Sequence, residues 1–233
     1  MKDKPVPSSI FWNSVRLLRA GWLILIVGIG LAEGLQPLSV LAQSQSSHIP
    51  SPLVQKGTHT LALDRQLYQA AQVGNLMRVK NLAARGASID AAQQNGWTAL
   101  MLAADGRHLP VVEFLLNHGA DVHRRSVAYN DVDALMLAAE AGNAAICRLL
   151  LERGVDVNEI DVSDNTPLML AMSNSNLTQA QEYEVAKVLL NGGAKINAKN
   201  RFGQTALDYT QRSQFEKALP KVIDLLKKSG AKM

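Results

Sequence analysis

From about Leu63 onward the apolar residues fall into two short patterns that take turns along the chain. One is a compact block, met as Thr98-Ala99-Leu100-Met101, Asp133-Ala134-Leu135-Met136, Thr166-Pro167-Leu168-Met169 and Thr205-Ala206-Leu207-Asp208. A threonine ahead of an apolar turn caps a helix, and Pro167 stands at a first-turn position where its missing N–H costs nothing, so each block predicts a short helix. Ala-Ala pairs at 70–71, 103–104 and 138–139 let a second helix approach closely. The other pattern is a stripe at i, i+3 and i+4 spacing, as in Val111 to Leu116, Ile146 to Leu151 and Val185 to Leu190, and it predicts an amphipathic second helix. After every stripe comes a glycine suited to a left-handed position just past the helix end.

Those glycines stand at 86, 119, 154, 193 and 230, with spacings of 33, 35, 39 and 37. Their flanks agree too: Arg85-Gly86-Ala87, His118-Gly119-Ala120, Arg153-Gly154-Val155, Gly192-Gly193-Ala194 and Ser229-Gly230-Ala231. A helix pair of this size cannot bury its own apolar face, whereas pairs stacked side by side bury a continuous core. The expected fold is therefore an all-α repeat solenoid of helix-turn-helix units joined by β-hairpin loops. Five units are expected, at about 63–94, 95–127, 128–162, 163–200 and 201–233.

These residues resemble the ankyrin repeat, whose pattern is a glycine two positions before Thr-Pro-Leu-His, then paired alanines, then a leucine-rich second helix. The tetrapeptide's histidine is replaced here by Met101, Met136, Met169 and Asp208, so its bond to the threonine is expected to be missing. Packing between hairpin and helix is the expected role of the methionine ladder. Gly96 and Gly203 keep the hairpin glycine, but Asp131 and Asp164 replace it elsewhere, and aspartate tolerates the left-handed conformation. The first unit lacks the tetrapeptide and reads as an N-terminal cap. The last carries Lys227, Lys228 and Lys232, which suit a polar closing cap. Extra residues are expected in loops: two around Ser126 to Asp133, six within Ser173 to Tyr183, and four between Thr210 and Val222.

Ahead of the repeats the pattern changes. The chain is basic up to Arg19, then Ala20 to Ala32 is free of charge, and Ser39-Val40-Leu41-Ala42 ends in small residues. That order describes a secretory signal peptide over residues 1–42, cleaved after Ala42. An uncleaved anchor over residues 20–41 is the alternative. Thirteen helical residues reach only about 20 Å of a roughly 30 Å hydrocarbon core, and a longer span would bury Glu33. Residues 43–62, polar with two prolines, read as a flexible linker in which His48 and His59 are solvated. Residues 63–233 are left for the repeat domain. The expected location is periplasmic or secreted, with a membrane-anchored scaffold as the alternative.

Composition narrows the function. The chain of 233 residues is 47% hydrophobic and 19% charged, which excludes disorder throughout, and its formal charge is +4. Lys2, Lys4, Arg16 and Arg19 against Asp3 and Glu33 lie in the first 42 residues. Residues 43–233 are too balanced in charge for a nucleic-acid footprint. Cys147, the only cysteine, can form no internal disulfide and reads as a small core residue. His118, Asp121 and His123 lie close in sequence but on a helix end and a hairpin, and are not expected to hold a metal. Asp156 to Asp161 starts like a calcium loop and then fails at Ile160 and at the glycine position. Asn176-Leu177-Thr178 has the form of a glycosylation acceptor, with a polar loop as its plain reading. No phosphate loop, serine elbow or His-Glu-x-x-His stretch is present. The expectation is a monomer with no cofactor, no catalytic residue and a protein partner.

The resemblance also implies where that partner binds. Contacts in the family come from the two residues before the hairpin glycine, the one after it, and those just past the paired alanines. The matching positions are Gln94, Asn95, Trp97 and Asp105 in unit two, and Tyr129, Asn130, Val132 and Glu140 in unit three. They are Val162, Ser163, Asn165 and Ser173 in unit four, and Arg201, Phe202, Gln204 and Gln211 in unit five. Trp97, Tyr129 and Phe202 would then form a concave line of exposed aromatics, the residue types that dominate interfaces. In that case Trp97→Ala weakens capture and spares stability. If Trp97 folds down onto its own hairpin, stability falls instead.

Overall fold

The computed structural model describes residues 52–126, 130–212 and 220–232. Ten helices among them form five pairs: α1 (Pro52–Gln72) with α2 (Leu76–Ala84), α3 (Ala99–Asp105) with α4 (Leu109–Asn117), α5 (Ala134–Glu140) with α6 (Ala144–Glu152), α7 (Pro167–Ser173) with α8 (Gln179–Asn191), and α9 (Ala206–Arg212) with α10 (Pro220–Lys228). The first helices α1, α3, α5, α7 and α9 pack in series as one layer. The second helices α2, α4, α6, α8 and α10 pack in series as the other. The repeat solenoid read from the glycine spacing is therefore the observed architecture. Strand pairing among the described residues is confined to isolated bridges, Ala92 with Thr98 and Ser126 with Val132.

Local chemistry sets the helix ends. Oγ1 of Thr98 accepts from the Met101 N–H, Thr166 Oγ1 from Met169, and Asp133 Oδ1 from Met136 at 2.7 Å. Asp133 thus does the work of the threonines, although burial pushes its carboxyl pKa up despite the helix N–H and the nearby Arg125. In unit five the aspartate replacing the family histidine restores the lost bond. Asp208 Oδ2 accepts from both the backbone N–H and the hydroxyl of Thr205, at 2.7 and 2.9 Å. Glycines 86, 119, 154, 193 and 230 all have φ between 84° and 99°, as the sequence spacing requires.

The core runs unbroken between the two helical layers. Leu67, Leu100, Leu115, Leu135, Leu150 and Leu168 are fully buried in it, each worth about 1.5–3 kcal/mol of transfer free energy. Met101, Met136 and Met169 are fully buried as well, so the methionine ladder is packing.

Two expectations are corrected. Residues 52–62 are not linker, because they are the first half of α1. Leu63, Leu67, Ala70 and Ala71 form one buried stripe on that helix, and with Pro52 at its first position the helix extends upstream from the packed half. Residues 43–51, the signal peptide and the anchor alternative lie outside the described residues. The six extra residues of unit four are also not all loop. Five residues join α7 to α8 where three join α3 to α4, and α8 has 13 residues where α4 has nine, so most of the insertion is one more helical turn. Thr178 and Gln181 start that turn with a reciprocal capping box. The unit-five insertion lies largely outside the described residues.

Candidate functional site

The hairpin tips, here called fingers, are each closed by two backbone bonds, the inner one running from the N–H of Gly96, Asp131, Asp164 or Gly203 to the carbonyl of Gln93, Ser126, Asp161 or Asn200. In the outer one the N–H groups of Gln93, Ser126, Asp161 and Asn200 donate to the carbonyls of Trp97, Val132, Asn165 and Gln204. Three residues lie inside the outer bond in units two, four and five, and five lie inside it in unit three, which places the two-residue insertion at the tip. Asn130, Asp131 and Asp164 take the left-handed conformation, with φ of 57°, 50° and 62°. Aspartate therefore replaces glycine at no loss of the turn.

Fingers are also tied to one another through a repeated carbonyl. Asn95 O accepts from the Ser126 hydroxyl at 2.7 Å, Asn130 O from the Val162 N–H at 3.1 Å, and Ser163 O from the Arg201 N–H at 3.2 Å. Each acceptor stands just before Gly96, Asp131 or Asp164, and Asn130 is left-handed itself. Between units three and four, the Arg125 guanidinium bonds both Asp131 and Glu159 and the Ile160 carbonyl. Between units four and five the link is a buried polar network. Asn200 Nδ2 donates to Asn165 Oδ1 at 2.8 Å and to Tyr209 OH at 3.0 Å, and the Tyr209 hydroxyl donates to Asn165 Oδ1. Asn165 Nδ2 in turn donates to Asp161 Oδ2. Satisfied networks of this kind hold one conformation, so these tips are preorganised.

That geometry sorts the expected contact residues. Trp97 is 1% exposed, Val132 is buried, and so are Asn165 and Gln204. Trp97 and Gln204 are therefore corrected from exposed contacts to inward-facing residues, and the line of exposed aromatics does not exist at its unit-two end. The cause is shared by all four fingers. The residue after the left-handed turn carries the closing carbonyl and leads straight into the buried helix cap, so its side chain turns inward, where Asn165 and Gln204 bond Asp161 and Asn200. Gln94 and Asn95 are exposed, as are Ser173, Arg201 and Phe202. Asp105, Asn130 and Glu140 are half-buried, and the Glu140 carbonyl accepts from Asn174 Nδ2. Tyr129 and the Gln211 side chain lie outside the described residues.

Sequence reasoning passed over two members of this surface. Ile160 and Lys199 occupy the same finger position in units four and five, one residue ahead of the closing N–H, and both are exposed. Ile160 and Val162 are each 44% exposed and Phe202 is 63% exposed. The alternation around Asp161 and Asn200, exposed–buried–exposed, was the signal that could have found them.

The residues weighed for chemistry are structural in their contacts. His118 stacks on Phe114 with ring centroids 3.8 Å apart, and its Nδ1 lies 2.8 Å from the Phe114 carbonyl. Asp121 Oδ1 accepts from the His123 N–H, and the Asp121 N–H donates to Asp90. Asn158 Oδ1 accepts from the Lys195 N–H of the next unit, as Asn197 does from Lys232, so the calcium-like stretch serves to tie repeats. Among the described residues no group of three or more His, Cys, Asp or Glu could hold a metal ion. A shallow groove between the outer faces of α6 and α8 is lined by Arg148, Glu152, Glu184 and Lys187, two charges of each sign. Cys147 is fully buried, and burial pushes its thiol up to about 12. It is expected to stay unlabelled by maleimide at neutral pH in native buffer and to react once denaturant unfolds the chain. Rapid labelling of the native protein would contradict that burial.

Stacked helix pairs with linked fingers define a repeat protein whose function lies on an extended surface. The family model for ankyrin repeats (3 copies) matches residues 38–126, 67–161 and 126–200, and the chain belongs to the ankyrin-repeat family. Bovine mitochondrial disaggregase is 31% identical over 156 residues, which is 67% of this chain and 22% of that protein. Human ankyrin repeat and SOCS box protein 6 is 31% identical over 167 residues, 71% of this chain and 38% of that protein. Mouse 2-5A-dependent ribonuclease is 41% identical over 63 residues, 27% of this chain and 9% of that protein. The chain thus spans well under half the length of these relatives. What it shares with them is a module of protein–protein interaction, generally without catalysis of its own.

Proposed function

We propose that this chain is an exported, non-catalytic adaptor that holds one protein partner along its fingers, as a monomer and without a cofactor. The observation that carries this reading is the row of exposed tip side chains on a scaffold already tied in place: Gln94, Asn95, Val162, Arg201 and Phe202, with Asn130 half-exposed between them. Ordering flexible loops on binding costs affinity, and fingers bonded to one another incur little of that cost. Asp105, Glu140 and Ser173 on the first helices extend the surface inward from the tips. Export rests on the basic, apolar and small-residue order of residues 1–42.

Purification from the native source tests both parts. The mature chain is expected to begin at Gln43, and a chain that keeps residues 20–41 would instead support the membrane-anchored scaffold. With the mature chain as bait, a Val162→Asp/Phe202→Asp variant is expected to lose its partner by roughly tenfold or more at an unchanged melting midpoint. Undiminished capture by that variant would remove the fingers of units four and five from the surface.

A further inference from the structure

Charge and exposure are unevenly distributed along the fingers. From Gly192 to Thr205 the chain carries Lys195, Lys199 and Arg201 and no carboxylate. All three cations are exposed. Arg201 reaches Asp164 only at 3.9 Å, and Lys195 and Lys199 make no ion pair with a described residue. By contrast, the cation of the equivalent position in unit three, Arg125, is consumed by Asp131 and Glu159. Beside these cations stand the exposed apolar side chains Ile160, Val162 and Phe202. The Arg201 N–H bond to Ser163 O and the Asn200 side-chain bond to Asn165 fix the two fingers side by side, with Lys199 and Ile160 at the equivalent position of each finger. Large apolar side chains left in solvent beside Lys199, which pairs with no described carboxylate, and Arg201, whose pair with Asp164 is long and exposed, mark a binding surface for something both apolar and anionic.

We propose that the paired fingers of units four and five seat an extended acidic segment of the protein partner, with carboxylates over Lys199 and Arg201 and an apolar side chain against Phe202 and Val162. This rests on the reading of the fingers as the partner-binding surface and adds the partner's chemistry to it. The surface is built for a short linear segment rather than a broad face, because the apolar contact spans only two tips. Rigid tips favour a partner that supplies the conformational adaptation itself. Carboxylates lying over exposed cations gain mostly in association rate, so binding weakens as salt rises.

The test selects short random peptides displayed on phage against the full chain at about 0.15 M salt, then titrates the winners as fluorescein-labelled peptides by anisotropy. Winners rich in Asp and Glu around an apolar residue are expected. Their affinity is expected to fall on the order of tenfold for Lys199→Glu/Arg201→Glu and for Phe202→Ala, and to be unmoved by Arg148→Glu on the outer face of α6. All of these replacements are of exposed side chains, and equal melting midpoints check that each variant is folded. Neutral or basic winners that still depend on Phe202 would overturn the acidic assignment and leave the finger reading standing. Winners indifferent to every finger substitution would overturn both. Retention on phosphatidylglycerol vesicles that is lost in the Lys199→Glu/Arg201→Glu variant, with no acidic peptide selected, would overturn it in favour of a lipid surface.

Discussion

Trp97→Ala is expected to lower the unfolding free energy by about 3–5 kcal/mol, one of the largest single effects available in this domain. The indole is fully buried, its backbone carbonyl closes the hairpin of unit two, and the next residue, Thr98, caps α3. Truncation leaves a void at the junction of hairpin and helix, in a structure whose stability is a sum over neighbouring units. Far-UV circular dichroism across a urea gradient is the suitable readout, since the substitution removes the domain's tryptophan fluorescence. Trp97→Phe should keep most of the packing and fall between. A midpoint unchanged in Trp97→Ala would mean that the side chain is free in solution, and the surface would then need to be redrawn around it.

Gly142→Ala is expected to cost about 2–4 kcal/mol, combining backbone strain with overpacking. Gly142 turns between α5 and α6 at a φ of 76°, and a Cβ there would stand 2.5 Å from Leu177 Cδ2. Leu177 belongs to the unit-four insertion and is itself buried, so its end cannot swing into solvent at no cost. Gly119→Ala is the control. Its φ is 84° but nothing lies within 4 Å of the added methyl, so only the strain of about 1–2 kcal/mol should appear. In a double-mutant cycle, Leu177→Ala should absorb the excess penalty of Gly142→Ala and leave the penalty of Gly119→Ala alone. Additivity of Gly142→Ala with Leu177→Ala would show that the insertion does not seat on that turn.

The Gly142–Leu177 contact also shows why the unit-four insertion was only half legible. Its length and place could be counted from the glycine spacing. That its Leu177 would fill the space above a turn in the previous unit, as His108 does above Gly74, depends on two residues more than thirty positions apart. The asparagines behave likewise. The family pattern makes Asn165 a contact position, and nothing in the sequence singles out its partner Asn200. In the folded chain they bond each other across units and are buried. Asp208 is the reverse case: its replacement of the family histidine reads as a lost bond, and local geometry restores that bond within three residues.

Periodicity along the chain was enough to determine the number of units, the helix caps at Thr98 and Thr166, the left-handed glycines and the buried methionine ladder. These arise from interactions within one unit or its immediate copy, which recur at a constant spacing and so leave a mark in the residue order. Which finger side chains reach solvent was decided only by the stacked structure. Trp97 and Phe202 are both aromatics of a hairpin tip, yet one is buried and the other exposed, because the two sides of the left-handed turn face opposite ways. Burial is set by what the neighbouring units place against a position, and no single unit's sequence contains its neighbours.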